Sequence, residues 1–259
     1  MLAAVILRAL RDQRRAPLTW GGALGAMSAL MALVWPSIEG SMERLMKSYP
    51  EQLKEAFNIT AINSVETYVD AEMLSLILPL ALSFLAVRIV TQALAGAEER
   101  GYLDVVLTTP VARRTLVAGT WIAAAVVIVA VLAVIAVMTL IAGAAVGAHP
   151  SALVLGRGMA NVWPLAMLFA GVAALACGRL HRAAPVTALA TGALVAMYVI
   201  DLVGKLADPV APLRRVSAFR YYGSAVRDGI DPLAFAGLAL AGALLAVAGA
   251  FLLERRDVR

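Results

Sequence analysis

The chain has 259 residues, of which 62% are hydrophobic and 15% charged, where soluble domains run at roughly 45–50% apolar and 25% charged; its mean hydropathy is +0.85. That composition excludes a water-soluble globular domain and places the chain in a bilayer. The net charge of +5 does not signal nucleic acid, because the arginines sit at the ends of apolar runs and not in a stripe interleaved with aromatics, and the single cysteine, Cys177, excludes an intrachain disulfide and a CxxC site.

Taken in chain order, the first element is "MLAAVILRALRDQRRAP", which reads as an amphipathic helix along the membrane surface; its apolar stretch is too short, and lacks the small-residue site, for a cleaved signal peptide. Each crossing of a layer about 30 Å thick needs roughly 20 mostly apolar residues. Nothing is charged between Arg15 and Glu39, which predicts a first span over 17–36 that closes at Trp35 and Pro36. The spacing of Met42, Leu45, Met46, Tyr49, Leu53 and Phe57 predicts an amphipathic helix over 41–57 on the outer interface. A second span is expected over 73–94, with Arg88 near its far end. Residues 115–156 carry no full charge and are about twice too long for one crossing, so they hold a third span, 116–142, and a segment broken by Gly143, Gly147 and Pro150. A fourth span follows over 159–178, a fifth over 184–202 and a sixth over 233–253. The loop 205–231, rich in aromatics, arginines and prolines, reads as interfacial or partly re-entrant. The fold class is therefore an all-α membrane protein with six transmembrane helices in one domain, 1–259.

Six spans put both termini on one side. Lysine and arginine favour the cytoplasm for that side, since Arg8, Arg11, Arg14, Arg15, Arg100, Arg113, Arg114, Arg179, Arg182, Arg255, Arg256 and Arg259 lie there, while about nine basic residues on the other side are spread over two longer loops and offset by acidic ones. In this reading Arg88 is the one charged residue inside a span, and it either snorkels to the interface or serves a translocation pathway or gate. His149 and His181 are isolated, with no second ligand at metal spacing. Asp201 reads as an interface residue.

The connection 96–114 is the longest on the terminus-bearing side, and it is built as a helix over about 98–109. Glu98 and Glu99 suit a first turn, Leu103, Val106 and Leu107 make one apolar face, Pro110 stops the helix, and Arg113 and Arg114 anchor the third span. Such a face, uncovered by its own chain, is a docking surface. The run Glu99-Arg100-Gly101-Tyr102-Leu103, then Val106-Leu107 and Pro110-Val111-Ala112-Arg113, resembles the E-x-G-T-L-E-x-L-L-x-x-P-V-S-R pattern between spans two and three of type-2 ABC exporter permeases. The six-span layout and the ending "FLLERRDV" resemble that family too, while Tyr102, Ala112 and Thr120 depart from its threonine, serine and lysine.

The resemblance implies that 98–109 is the coupling helix gripped by a separate ATPase subunit, which would hold the ATP and magnesium, and that a second permease subunit, identical or different, completes the translocating pair. This chain is expected to carry no cofactor and no catalytic site: it lacks G-x-x-x-x-G-K-[ST], G-x-S-x-G and H-E-x-x-H. Other readings are a secondary carrier or a non-transporting sensor or anchor subunit, against which the scarcity of charge within the spans argues. Spans offering leucine, valine, alanine and hydroxyls such as Ser75, Ser83, Thr139 and Thr187 suit a hydrophobic or amphipathic cargo over an ion. The excess of arginine over lysine, with abundant alanine, suits a bacterium, hence its plasma membrane.

Overall fold

In hydrocarbon a backbone N–H or C=O finds no water, so each long apolar run must satisfy its own hydrogen bonds by closing into a helix. The structure is a computed structural model that describes residues 2–48, 64–100, 112–206 and 208–255. Eight helices follow in order: α1 (Leu2–Asp12), α2 (Ala16–Ser48), α3 (Val65–Glu99), α4 (Arg113–Ala145), α5 (Ala152–Cys177), α6 (Ala183–Leu206), α7 (Ala218–Tyr222) and α8 (Pro232–Glu254). Helices α2 to α6 and α8 are each long and apolar enough to cross a membrane, and no strand occurs among the described residues.

The helices are longer than the apolar runs alone predict. Helix α2 does not stop at Pro36 but continues to Ser48. A proline removes one helical hydrogen bond, yet Trp35 before it is buried against Tyr68 of α3, rings 5.7 Å apart, and the residues after it are mostly good helix formers. Residues 41–48 therefore prolong the first span instead of opening a separate interfacial helix, and 49–57 lie outside the described residues. Helix α3 starts at Val65, about two turns before the expected 73. Ser64 caps it, its hydroxyl accepting from the Thr67 amide while the Thr67 hydroxyl accepts from the Ser64 amide at 3.1 Å. Its Asp70–Ile77 segment is wound as a π-helix.

Between α4 and α5 the break is only the short turn 146–151, with Gly147 and His149 in the left-handed region at φ 74° and 41°. Helix α5 thus begins at Ala152, capped by the Ser151 hydroxyl, and takes in Arg157. Arg88 is consequently not the only charged residue in a crossing helix: among others, Asp70, Glu72, Arg157 and Asp201 join it.

Helix α5 is the centre of the bundle and α6 its edge, with 78% and 22% of their apolar windows buried. Helix α8 runs parallel to α5 along a glycine seam. A Cβ on Gly242 would lie 2.5 Å from the Met167 carbonyl oxygen, and Cβ atoms on Gly171 and Gly249 would likewise strike partner backbone. Small residues of this kind let two membrane helices approach closely. On the other side α2 packs along α4, where Ser28 and Thr139 share a buried hydrogen bond of 2.7 Å.

The loop after α6 is re-entrant. A 3-10 helix, Asp208–Val216, leads into α7, whose Phe219 packs against Tyr198 and against Phe169, just past the midpoint of α5. The Ser217 hydroxyl caps α7 and donates to the Met197 carbonyl at 2.6 Å.

Candidate functional site

One end of the bundle gathers α1, the end of α3, the start of α4, the turn 178–182 and the end of α8. It will be called the α1 end. Glu98 and Glu99 lie there, at the end of the short Ala95–Glu99 helix that closes α3, with Arg100 following at φ −88° and ψ 5°. Carboxylates at a helix C-terminus oppose its dipole, and here they are held by partners instead. Glu98 Oε1 is 2.9 Å from His181 Nδ1, and Glu99 Oε2 accepts from the Ala183 amide at 3.3 Å. The chain leaving span two is therefore tied to the turn between spans four and five. Arg113 donates to the Leu253 carbonyl at 2.9 Å, and Arg114 pairs with Glu254 at 3.7 Å, tying span three to span six. Gly101, Tyr102, Leu103, Val106, Leu107 and Pro110 lie outside the described residues.

Between α3 and α6 runs an open lateral groove of about 600 Å³, lined by Phe84, Gln92, Ala184, Thr187, Ala188 and Thr191, with Glu99 at its α1 end. This volume falls within the ~300–1,000 Å³ of drug-sized binding sites. Apart from Glu99 its lining is uncharged, and the Thr191 hydroxyl is buried without a partner among the described residues. Of the hydroxyls singled out in the sequence only Thr187 lines it. Ser75 bonds back to the Ala71 carbonyl, Thr139 is sealed between α2 and α4, and Ser83 is buried. From the groove residues Ala184 and Ala188 the same face of α6 continues as Gly192 and Ala196 at four-residue spacing, all exposed.

The opposite end is held by polar pairs. Asp70 accepts from Ser224 at 2.6 Å and Arg227 at 3.3 Å. Asp201, expected at an interface, is buried and paired with Lys205 at 2.6 Å and Arg214 at 2.9 Å. The Tyr222 hydroxyl donates to the Leu74 carbonyl at 2.9 Å, and the Asn161 amide donates to the Tyr222 carbonyl at 2.6 Å. Burial, with the Asp70 charge adding, pushes the Tyr222 hydroxyl far above its ordinary range, so it stays a donor.

Arg88 stands apart from the groove, in a cleft between α3 and the α1–α2 elbow. Sequence reasoning missed Phe84, Gln92 and Thr191 as groove residues, since facing α6 is a fact of tertiary packing. It also set His181 aside, because its partner lies 83 residues away.

An all-helical chain with six crossing helices, a polar linked face at one end and a lateral groove is a polytopic membrane permease. Residues 3–253 match the model of the C-terminal domain of the multidrug efflux system permease Rv1217c, and the chain belongs to that family. It is a membrane subunit of the ABC-exporter type. No match to a curated protein was found.

Proposed function

We propose that the chain is one half of an ATP-driven exporter that moves hydrophobic or amphipathic compounds out of a bacterial cell. The observation that carries this reading is the open groove between α3 and α6, lined by apolar and hydroxyl groups together with Gln92 and with Glu99 as its one charge. Burial of a ligand there would gain about 25 cal/mol per Å² of apolar area, whereas an ion would want clustered oxygens. The family's description as a multidrug efflux permease supports the same cargo class. Asp70 and Asp201, buried carboxylates of the kind a coupled carrier needs, are already ion-paired at the end opposite α1.

In this reading both termini are cytoplasmic, and residues 98–113 pass the work of a separate ATPase, with its ATP and magnesium, into the bundle. Glu98, Glu99 and Arg113 are the described part of that surface, and their bonds to His181, Ala183 and Leu253 supply a route by which a push on it reaches spans four, five and six. The alanine and glycine stripe on α6 suits close packing of a second permease half, in line with a family described as one domain of a permease.

The test is ATPase stimulation of the reconstituted complex by a panel of amphipathic compounds and by sodium gradients. Stimulation by the compounds, with half-maximal concentrations shifted in Thr187→Leu, is expected. Stimulation by sodium alone would exclude the cargo assignment, and failure of any ATPase to co-purify would exclude the exporter reading in favour of a carrier or sensor.

A further inference from the structure

Arg88 lines a partly polar cleft beside the start of span one. Helices α2 and α3 pack antiparallel with Trp20 beside Phe84, rings 6.3 Å apart, so one turn farther toward the α1 end Arg88 comes level with Ala16, the first residue of α2. There the elbow encloses a cleft of about 200 Å³, with Asp12, Arg15, Arg88 and Gln92 on its polar side and Leu85 and Ile89 as apolar wall. Leu85 and Ile89 are buried while Arg15 and Arg88 are exposed. None of the Asp12, Arg15 and Arg88 side chains makes a hydrogen bond or ion pair among the described residues.

We propose that this cleft binds the phosphodiester headgroup of a membrane phospholipid, with the Arg15 and Arg88 guanidiniums on the phosphate oxygens. Four features converge on that chemistry. Guanidinium forks match phosphate oxygens in geometry and charge. The cleft, at about 200 Å³ against about 600 Å³ for the groove between α3 and α6, has room for a headgroup and is smaller than drug-sized sites. It opens where α1 turns into span one, and the buried Leu85 and Ile89 offer an apolar wall to the glycerol and first methylenes of a lipid. Two guanidiniums against the Asp12 carboxylate leave one net positive charge. A monoanionic phosphodiester neutralises it, whereas a free phosphate or phosphomonoester, at about −1.5 to −2 near neutrality, would overcharge it beside Asp12. The lipid so held would bridge surface helix α1 to span two. The inference rests on the membrane-spanning fold and not on the cargo or the ATPase.

The experiment is native mass spectrometry of the purified, delipidated full chain titrated with phosphatidylglycerol, phosphatidylethanolamine, diacylglycerol and inorganic phosphate. Phosphodiester lipids bind and diacylglycerol does not. Arg15→Gln and Arg88→Gln each weaken lipid binding by roughly tenfold or more, the scale of a charge-assisted hydrogen bond, while Arg88→Lys retains part of it and Arg220→Gln, at the other end, leaves it unchanged. Unfolding temperatures measured alongside separate lost binding from lost fold, and Arg15, being exposed, carries the test if Arg88→Gln does not fold. Equal binding of diacylglycerol, or indifference to both arginine substitutions, overturns the site. Displacement of bound lipid by inorganic phosphate assigns the cleft to a soluble anion and overturns the lipid.

Discussion

Asp201 is the residue at which sequence and structure part most sharply. As the last charge of a long apolar run it reads as an interface group. Instead it is buried, because Arg214 returns through the re-entrant loop to meet it and Lys205 stands one turn below. Nothing in the local sequence signals a partner 13 residues away on a segment that folds back. The same holds for Asp70, whose partners Ser224 and Arg227 lie more than 150 residues on. Removing one member of a buried pair strands the other's charge at a cost of about 3–5 kcal/mol, but Arg214 and Lys205 retain solvent contact, so Asp201→Ala is expected to cost about 1–3 kcal/mol. Adding Arg214→Leu should recover part of the loss, and thermal unfolding in micelles reads both. Tyr222 gives a pH signature. Its hydroxyl is held protonated in the fold, while in the unfolded chain it ionises near its ordinary 10.0, so its contribution is complete below that pH and is lost as pH rises above it. Tyr222→Phe should cost about 0.5–1.5 kcal/mol at neutral pH and lessen the fall in stability between about pH 9 and about pH 11. An unchanged alkaline slope would show that the Leu74 bond is not what the pH acts on.

Among the elements, the crossing helices are legible because hydropathy and length suffice to specify them, whereas their ends are set by caps and partners. Span two gains its two extra turns from the Ser64–Thr67 capping box, and span four starts early because Ser151 caps it. Residues 101–110 of the expected coupling segment lie outside the described residues, while Glu98 and Glu99 close the short helix Ala95–Glu99 and find partners at His181 and Ala183 on another connection. What composition hid altogether is the seam between α5 and α8. Glycine in a membrane helix reads equally as tolerated filler or as a packing site, and α8 contains both. A Cβ on Gly242 meets Met167 and Leu168 backbone at 2.5–2.9 Å, which cannot yield without moving a helix, while one on Gly237 meets nothing within 4 Å. Gly242→Ala is therefore expected to destabilise by about 1–3 kcal/mol through overpacking, and Gly237→Ala to be neutral or slightly stabilising. Thermal unfolding of the two variants side by side checks this, and equal effects would mean that the helices are free to part.

At the scale of the whole molecule the decisive question is which way the bundle faces, because ATP is available on one side only. The connections at the α1 end carry Arg100, Arg113, Arg114, Arg179 and Arg182, with the arginines of α1 beside them, whereas the basic residues of the opposite end are spread over two longer loops and offset by acidic ones, and its connection 146–151 carries none. Basic residues in short loops are the ones that orient a membrane protein, so the α1 end is expected in the cytoplasm. Lys205, Arg214 and Arg227 at the opposite end are engaged with Asp201 and Asp70, which leaves Arg215 and Arg220 as exposed basic residues of the described part of that loop. Single cysteines placed in a Cys177→Ala background decide it, since Cys177 is buried and its removal leaves a blank. Asp228→Cys and Arg182→Cys both introduce thiols at exposed positions on opposite ends. With a membrane-impermeant maleimide, the Asp228→Cys chain should label in intact cells and the Arg182→Cys chain only after the membrane is opened. The reverse pattern would turn residues 98–113 away from ATP. The coupling role of Glu98, Glu99 and Arg113 would then fall, while the groove between α3 and α6 and the phospholipid cleft at the elbow would keep their geometry and lose only their assigned side.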